Sequence, residues 1–340
     1  MLDDTSMIWF RLRERRSSLR TKSKVDATAA RRQTFAAAMA QFEEQFTAAR
    51  TVTSATRPIN LYYGLQAAGT AVAAAHADDP WTSTGHGLHL MERHESLADM
   101  MVKPAGSGAF QTVAAATGSP EIAGPVSLRA LWATLPDLAE GGLLPGPVKS
   151  TVLAISIDLS STRSPRATLY LPGKMPSGER EWLARFDAIM GAYPSGAPYA
   201  IPLEDGAVVA PARPGSNWQV TLRWPAGDSG RDKTEEELEN FFVKIAPEYR
   251  YRGDRFLRPA IDAAGAVPPS PLMTWWLLLY SFSILTRYEP RRWMKLLDPD
   301  SSEVAVLLQY ALEHALAAVP QLVLEALDNR PSLLPKTLAF

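Results

Sequence analysis

Ser270-Pro271-Leu272-Met273-Thr274-Trp275-Trp276-Leu277-Leu278-Leu279-Tyr280-Ser281-Phe282-Ser283-Ile284-Leu285-Thr286-Arg287-Tyr288-Glu289-Pro290 is the stretch that decides how this chain folds. Its apolar side chains surround the helix axis instead of marking one stripe, so a helix here needs neighbours on every side. Pro271 suits the first helical position. The helix should end near Tyr288 or Glu289, because the residue before Pro290 is pushed out of the α region. The most hydrophobic part, Leu272–Leu285, is about 14 residues long, short of the roughly 20 that span a bilayer. A central core helix is therefore expected, and no membrane partner. Asp3 and Asp4 stand where a signal peptide would carry positive charge, so a soluble cytoplasmic protein is expected.

The flanking segments supply neighbours. Trp293, Leu296 and Leu297 mark a short helix stopped by Asp298-Pro299, with Asp300 placed to cap the next. That next helix carries the stripe Val304, Leu307, Leu308, Ala311, Leu312, Ala315, Leu316 and Val319 at helical spacing. Pro320 should break it before a last helix to about Leu327. Near the start, Phe35, Met39, Phe42 and Phe46 recur on one face of an Ala-rich helix beginning at about Thr28. A second helix should run from Pro58 to His76 with Leu61, Tyr62, Leu65, Ala68, Gly69 and Val72 inward. Gly64 and Gly69 each cost it about 1 kcal/mol relative to Ala, which implies that another backbone comes close there. Ser127 reads as the N-cap of a short helix with Leu128, Leu131 and Trp132, stopped by Pro136. Residues 85–120 mix Gly-rich turns with short apolar pieces and give no assignment.

Beyond Lys149 the apolar period falls from about 3.6 to 2. Leu153, Ile155, Ile157 and Leu159 alternate with small or polar residues, as do Ala167, Leu169 and Leu171, and again Trp218, Val220, Leu222 and Trp224. These are half-buried antiparallel strands, interrupted by one helix over Glu179–Met190. Thr234 and Glu237 form a capping box where helix should resume. The expected fold is α+β and mostly α-helical, with one bundle built from the N- and C-terminal helical parts and a β-rich insert between them. The boundaries read as a basic arm over 1–27, a helical part over 28–148, the insert over 149–228 and the second helical part over 229–330.

Composition removes several function classes. The 340 residues include no Cys, which excludes disulfide frameworks, thiol catalysis and cysteine zinc sites. The net charge of −1 hides an asymmetry. Residues 11–32 hold Arg11, Arg13, Arg15, Arg16, Arg20, Lys22, Lys24, Arg31 and Arg32 against Glu14 and Asp26, so +7 there leaves −8 for the rest. This run and Arg287 are the expected routes to a nucleotide or nucleic-acid partner; a protein partner or a second copy of the chain is the other expectation. Aromatic interleaving for base stacking is missing from the run, and its plainer reading is a solvated segment leading into a helix.

Searches for a phosphate loop, a nucleophile elbow and a His-Glu-x-x-His helix all fail. Four of the five histidines, His76, His86, His89 and His94, fall within 19 residues beside Asp78, Asp79, Glu92 and Glu95. Imidazoles and carboxylates can hold a metal or move protons, but the spacing matches no ligand pattern, so neither metal nor cofactor is expected. His86, in Gly85-His86-Gly87-Leu88, is the one catalytic candidate. Arg287, Tyr288, Arg291, Arg292 and Trp293 cluster at a helix break. They could grip an anion and stack a base, or Arg287 could simply satisfy last-turn carbonyls.

Arg57-Pro58 with Leu61-Tyr62-Tyr63-Gly64-Leu65, then Gly85-His86-Gly87-Leu88, then Trp275 to Tyr280 with Arg287-Tyr288-Glu289-Pro290 and Trp293, together resemble the YaaC-like family of bacterial proteins. The resemblance runs from about residue 50 to 328 and implies a cytoplasmic bacterial protein, without implying a reaction. Asn60 to Ala68 is also similar to the Tyr-Tyr helix of HEPN-type helical domains. That likeness implies a ribonuclease, but its catalytic members carry Arg followed by His after four to six residues, and no such pair occurs here. The leading expectation is a non-catalytic binding or regulatory protein. Its binding candidates are Arg57, Tyr62, Tyr63, His86, His89, Arg287, Tyr288 and Arg291. The alternative is a HEPN-like ribonuclease or phosphodiesterase, of the kind found in defence systems, using His86 with Arg287 or a nearby carboxylate.

Overall fold

In the computed structural model of the protein, Pro271–Tyr288 is one helix buried along nearly its whole length. The structure describes residues 4–18, 23–91, 94–147, 150–158, 166–171, 179–193, 218–223, 234, 249–251, 254–262 and 265–329. In chain order the first elements are α1 (Asp4–Ser17), α2 (Ala29–Thr51), α3 (Arg57–His76), β1 (Leu88–Leu90), β2 (Met101–Pro104), α4 (Ala109–Ala116), β3 (Val126–Ser127), α5 (Leu128–Ala133) and α6 (Pro136–Gly141). β4 (Leu153–Asp158), β5 (Arg166–Leu171), α7 (Glu179–Met190), β6 (Trp218–Arg223), β7 (Tyr249–Tyr251) and β8 (Asp254–Leu257) follow. The chain closes with α8 (Pro271–Tyr288), α9 (Pro290–Leu296) and α10 (Ala305–Asp328).

Two units result. One joins Met1–Val148 to Pro268–Phe340, and the other is Lys149–Val267. The fold is thus α+β and mostly helical, with both terminal parts in one bundle and the β-rich segment set between them in sequence. The insert reaches residue 267, beyond the expected 228, because β7 and β8 lie where helix was expected. Those strands are only three and four residues long, too short to show a period of two. Of the expected capping box only Thr234 falls within the described residues.

In the first unit α8 touches α3, α4, α5, α9, α10 and β1. Trp275, Trp276, Leu277, Leu278, Leu279, Phe282 and Leu285 are fully buried, each contributing about 1.5–3 kcal/mol relative to exposure. Three hydroxyls of α8 are satisfied within it: Ser281, Ser283 and Thr286 donate to the carbonyls of Leu277, Tyr280 and Phe282. α2 and α3 pack side by side as a helical hairpin. Gly64 and Gly69 of α3 face rings, not another backbone. A Cβ at Gly69 would lie 2.2 Å from the Trp276 ring, and one at Gly64 2.7 Å from Phe46.

Residues 4–17 are a helix, not an arm. Ile8, Trp9 and Leu12 are buried, with Trp9 against Phe42 at 5.0 Å between ring centres. Arg15 grips Asp328 at the end of α10 through two bonds of 2.5 and 3.0 Å. α10 itself runs through Pro320. The proline removes the donor for the Leu316 carbonyl, at about 3 kcal/mol, but Val319, Leu322, Val323 and Leu324 around it are buried and outweigh that loss. α10 is long and apolar enough to cross a membrane; here its buried face lies against α1, α3, α6 and α8. Asp300 does not cap it. Asp298 instead accepts from Asp300 and Ser301, and the helix begins at Ala305. Ser127 caps α5 as expected, accepting from the Ala130 amide at 3.2 Å, whereas Pro136 opens α6.

β1, β2 and β3 form a small antiparallel sheet, with β1 and β2 in the stretch that gave no assignment and β3 just beyond it. The second unit holds a five-stranded antiparallel sheet in the order β6-β5-β4-β8-β7. Ile155 pairs with Leu169 and Leu169 with Val220, so the alternating residues share a face as their period requires.

Gly69→Ala should lower stability despite the better helix propensity. The Trp276 ring is fully buried, and overpacking costs about 1–3 kcal/mol against roughly 1 kcal/mol gained. Urea unfolding of the two proteins measures the difference, and a more stable variant would contradict this packing.

Candidate functional site

His86 sits in a loop that its neighbours hold from several directions. Gly85 and Gly87 adopt φ of +80° and +74°, which lets the chain reverse before β1. The first amides of α4, orphan donors in any helix, are spent on this loop: Ala109 donates to the Gly85 carbonyl and Phe110 to that of His86, both at 3.2 Å. The Gly87 carbonyl accepts from the Ala105 amide at 2.9 Å and from Gln111 Nε2 at 2.7 Å. A Cβ on Gly108 would lie 2.3 Å from the Gly87 nitrogen, so this contact between two backbones requires glycine.

Consecutive positions on α3 send Tyr62 into the core and leave Tyr63 38% exposed. Tyr62 Oη lies 2.9 Å from His86 Nδ1. Tyr280 of α8 completes a trio of rings, 5.6 Å from Tyr62 and 6.0 Å from His86, and its hydroxyl donates to the Leu88 carbonyl at 3.0 Å. Burial, reinforced by Tyr280, pushes the Tyr62 phenol well above its ordinary pKa, so it stays protonated. A fully buried hydroxyl proton needs an acceptor, and Nδ1 of His86 is the acceptor beside it. That bond places the imidazole proton on Nε2. Burial, with the Arg287 charge nearby, pushes the His86 pKa down, and the ring is neutral at pH 7.

Arg287 lies two helical turns beyond Tyr280 on the same face of α8. Its Nη1 donates to Tyr63 Oη at 2.8 Å and its Nε to the Ser283 carbonyl at 3.2 Å. The guanidinium is 5.5 Å from the Tyr63 ring centre and 5.1 Å from that of Tyr288, whose side chain is 67% exposed. Among the described residues no carboxylate forms an ion pair with Arg287. Tyr62, Tyr63, His86, Arg287 and Tyr288 therefore converge, drawn from α3, the loop before β1 and the end of α8.

Other candidates lie elsewhere. Arg57 is buried and closes the end of α2, donating to the carbonyls of Ala49 and Val52, both at 3.0 Å, and pairing with Glu313. His89 faces solvent on β1, and Arg291 is exposed on α9. The clustered histidines disperse as well. His76 bonds the Leu327 carbonyl at 3.0 Å, His94 accepts from the Ser96 amide, and among the described residues no three metal-binding side chains gather. Outside that cluster, His314 stacks on Tyr310 at 4.1 Å.

The basic run is largely neutralised from within. Arg13, Arg15, Lys24, Arg31 and Arg32 pair with Glu43, Asp328, Asp78, Asp79 and Asp26, five of the seven basic side chains of 11–32 in the described residues. One contributor lay outside the expected site residues: Tyr280, signalled only by its seven-residue spacing from Arg287. Arg292, part of the expected cluster at the helix break, instead clasps the carbonyls of His94 and Glu95.

The family model described as YaaC-like Protein matches residues 11–327. No curated protein and no solved structure matches the chain.

Because the folded state holds the His86 pKa below the ordinary 6.5, the unfolded chain binds more protons in the interval between the two values. Stability from this group is complete above about pH 6.5 and is lost as pH falls towards the folded value. Urea unfolding at pH 7 and 5.5 should show a smaller loss for His86→Asn, which keeps an acceptor for Tyr62, than for the parent. Equal losses would show that His86 does not contribute.

Proposed function

The chain belongs to the YaaC-like protein family, and on that footing we propose that it is a cytoplasmic, non-catalytic binding or regulatory protein whose partner is recognised at the Tyr62–Tyr63–His86–Arg287–Tyr288 cluster. The observation that carries this reading is Arg287: a cation with no carboxylate among the described residues, set beside two exposed rings. Each such contact is worth only about 0.5–1 kcal/mol at an exposed site. The ring contacts and the bond to Tyr63 therefore orient the guanidinium without neutralising it. An oriented, uncompensated guanidinium suits an anionic partner, and the exposed rings suit a planar one. Nucleotides and nucleic acids combine both properties, and so does an acidic, aromatic protein segment.

His86 supports the non-catalytic side of the reading, since its Nδ1 lone pair is engaged by Tyr62 and a general base needs a free one. The alternative, a ribonuclease or phosphodiesterase, rests on the same histidine with the Arg287 charge nearby. Incubating RNA with the parent and with His86→Ala separates the two. Cleavage lost in the variant supports the enzyme; equal cleavage, or none by either, removes it.

The binding reading is tested by titrating the protein with nucleotides, short single-stranded oligonucleotides and acidic peptides, followed by melting temperature and calorimetry. At least one class should bind, with affinity reduced about tenfold or more, roughly 1.4 kcal/mol, in Arg287→Ala and unchanged in His89→Ala. Absence of binding across the panel, or binding indifferent to Arg287, would overturn it.

A further inference from the structure

The hydrogen-bond directions within the cluster narrow the ligand. Tyr62 is buried and donates to His86 Nδ1, which leaves Nε2–H as the unused polar group of a half-buried imidazole. Arg287 donates to Tyr63 Oη, so that hydroxyl accepts inward and its own proton is left to donate. The guanidinium is a donor at every nitrogen. Tyr280 is already committed to the Leu88 carbonyl. What Tyr63, His86 and Arg287 offer a ligand is therefore a set of donors with one positive charge, matched to an oxyanion.

The number of charges matters as much as their sign. A strand of nucleic acid is tracked by a row of cations along successive phosphates. Here most of the described basic residues in 11–32 are already paired with carboxylates, and Arg292 is held by Glu289 and by backbone carbonyls. One oriented guanidinium flanked by two rings matches one phosphate attached to one base.

We propose that the ligand of this site is a nucleoside monophosphate, its phosphate on Arg287, Tyr63 and His86 and its base stacked on Tyr288. The inference rests on the reading that this cluster is the binding site. Calorimetry with the full chain tests it, using AMP, GMP, CMP and UMP, the corresponding nucleosides, inorganic phosphate and a 5′-phosphorylated hexanucleotide. At least one monophosphate should bind, and removing either its phosphate or its base should weaken binding about tenfold or more. Arg287→Lys should weaken the monophosphate about tenfold, because an ammonium lacks the planar fork. Tyr288→Leu, at an exposed position, should weaken the monophosphate about tenfold and inorganic phosphate by much less, with an unaltered melting transition. The phosphate loses only an orienting ring contact on Arg287, while the base loses its stacking partner.

Equal affinity for nucleoside and nucleotide overturns the proposal, as does indifference to Arg287→Lys. If only the hexanucleotide or an acidic peptide binds, and Arg287→Ala abolishes it, the mononucleotide is wrong and the site stands. If nothing binds in an Arg287-dependent way, both fail together.

Discussion

The helical unit depends on the burial of α8. A helix with tryptophans, leucines and a phenylalanine around its whole circumference cannot rest on a surface, and its other contacts follow from that requirement. α3, α4, α5, α9, α10 and β1 all pack against it. Neither terminal part of the chain could supply this enclosure alone, which explains why residues so far apart in sequence share a unit. Small residues mark where the fit is tightest: Gly69 receives the Trp276 ring, and any larger side chain would collide with it.

The candidate site lies where that burial gives out. Along one face of α8, Tyr280 is almost buried, Arg287 is half-buried and Tyr288 is exposed. The same transition occurs on α3 between adjacent positions, Tyr62 inside and Tyr63 partly outside. The loop carrying His86 bridges the two helices because α4 spends its first amides on it. The site's rigidity is thus borrowed from the core: buried phenols set the hydrogen-bond direction, and the exposed groups receive it.

Legibility in the sequence followed the length of each pattern. The long helices α2, α3, α8 and α10 were plain from apolar spacing over several turns, and β4, β5 and β6 from alternation over five or more residues. β1, β2, β3, β7 and β8 were not, because strands of two to four residues hold too few positions to establish a period. Pro320 misled for a different reason. Its local cost is real, but burial on both sides, invisible to a local rule, exceeded it. At the site, five of the eight binding candidates came together. Arg57 and His89 went elsewhere, the first to a helix end and the second to the outward face of a strand, and Arg291 stayed on the exposed surface of α9.

By itself the sequence determined the long helices of the core, the three longer strands of the insert and the residue types available for chemistry, because these depend on local periodicity and composition. Only the tertiary structure decided which polar residues meet. The basic run reads as +7 in one dimension, yet most of its described members are paired with carboxylates as distant as Asp328. Arg287 reads as one arginine among three, yet it is the one held beside two tyrosine rings with no carboxylate partner in the described residues. Pairing depends on distances of a few ångströms between residues far apart in the chain, and those distances exist only once the core has packed.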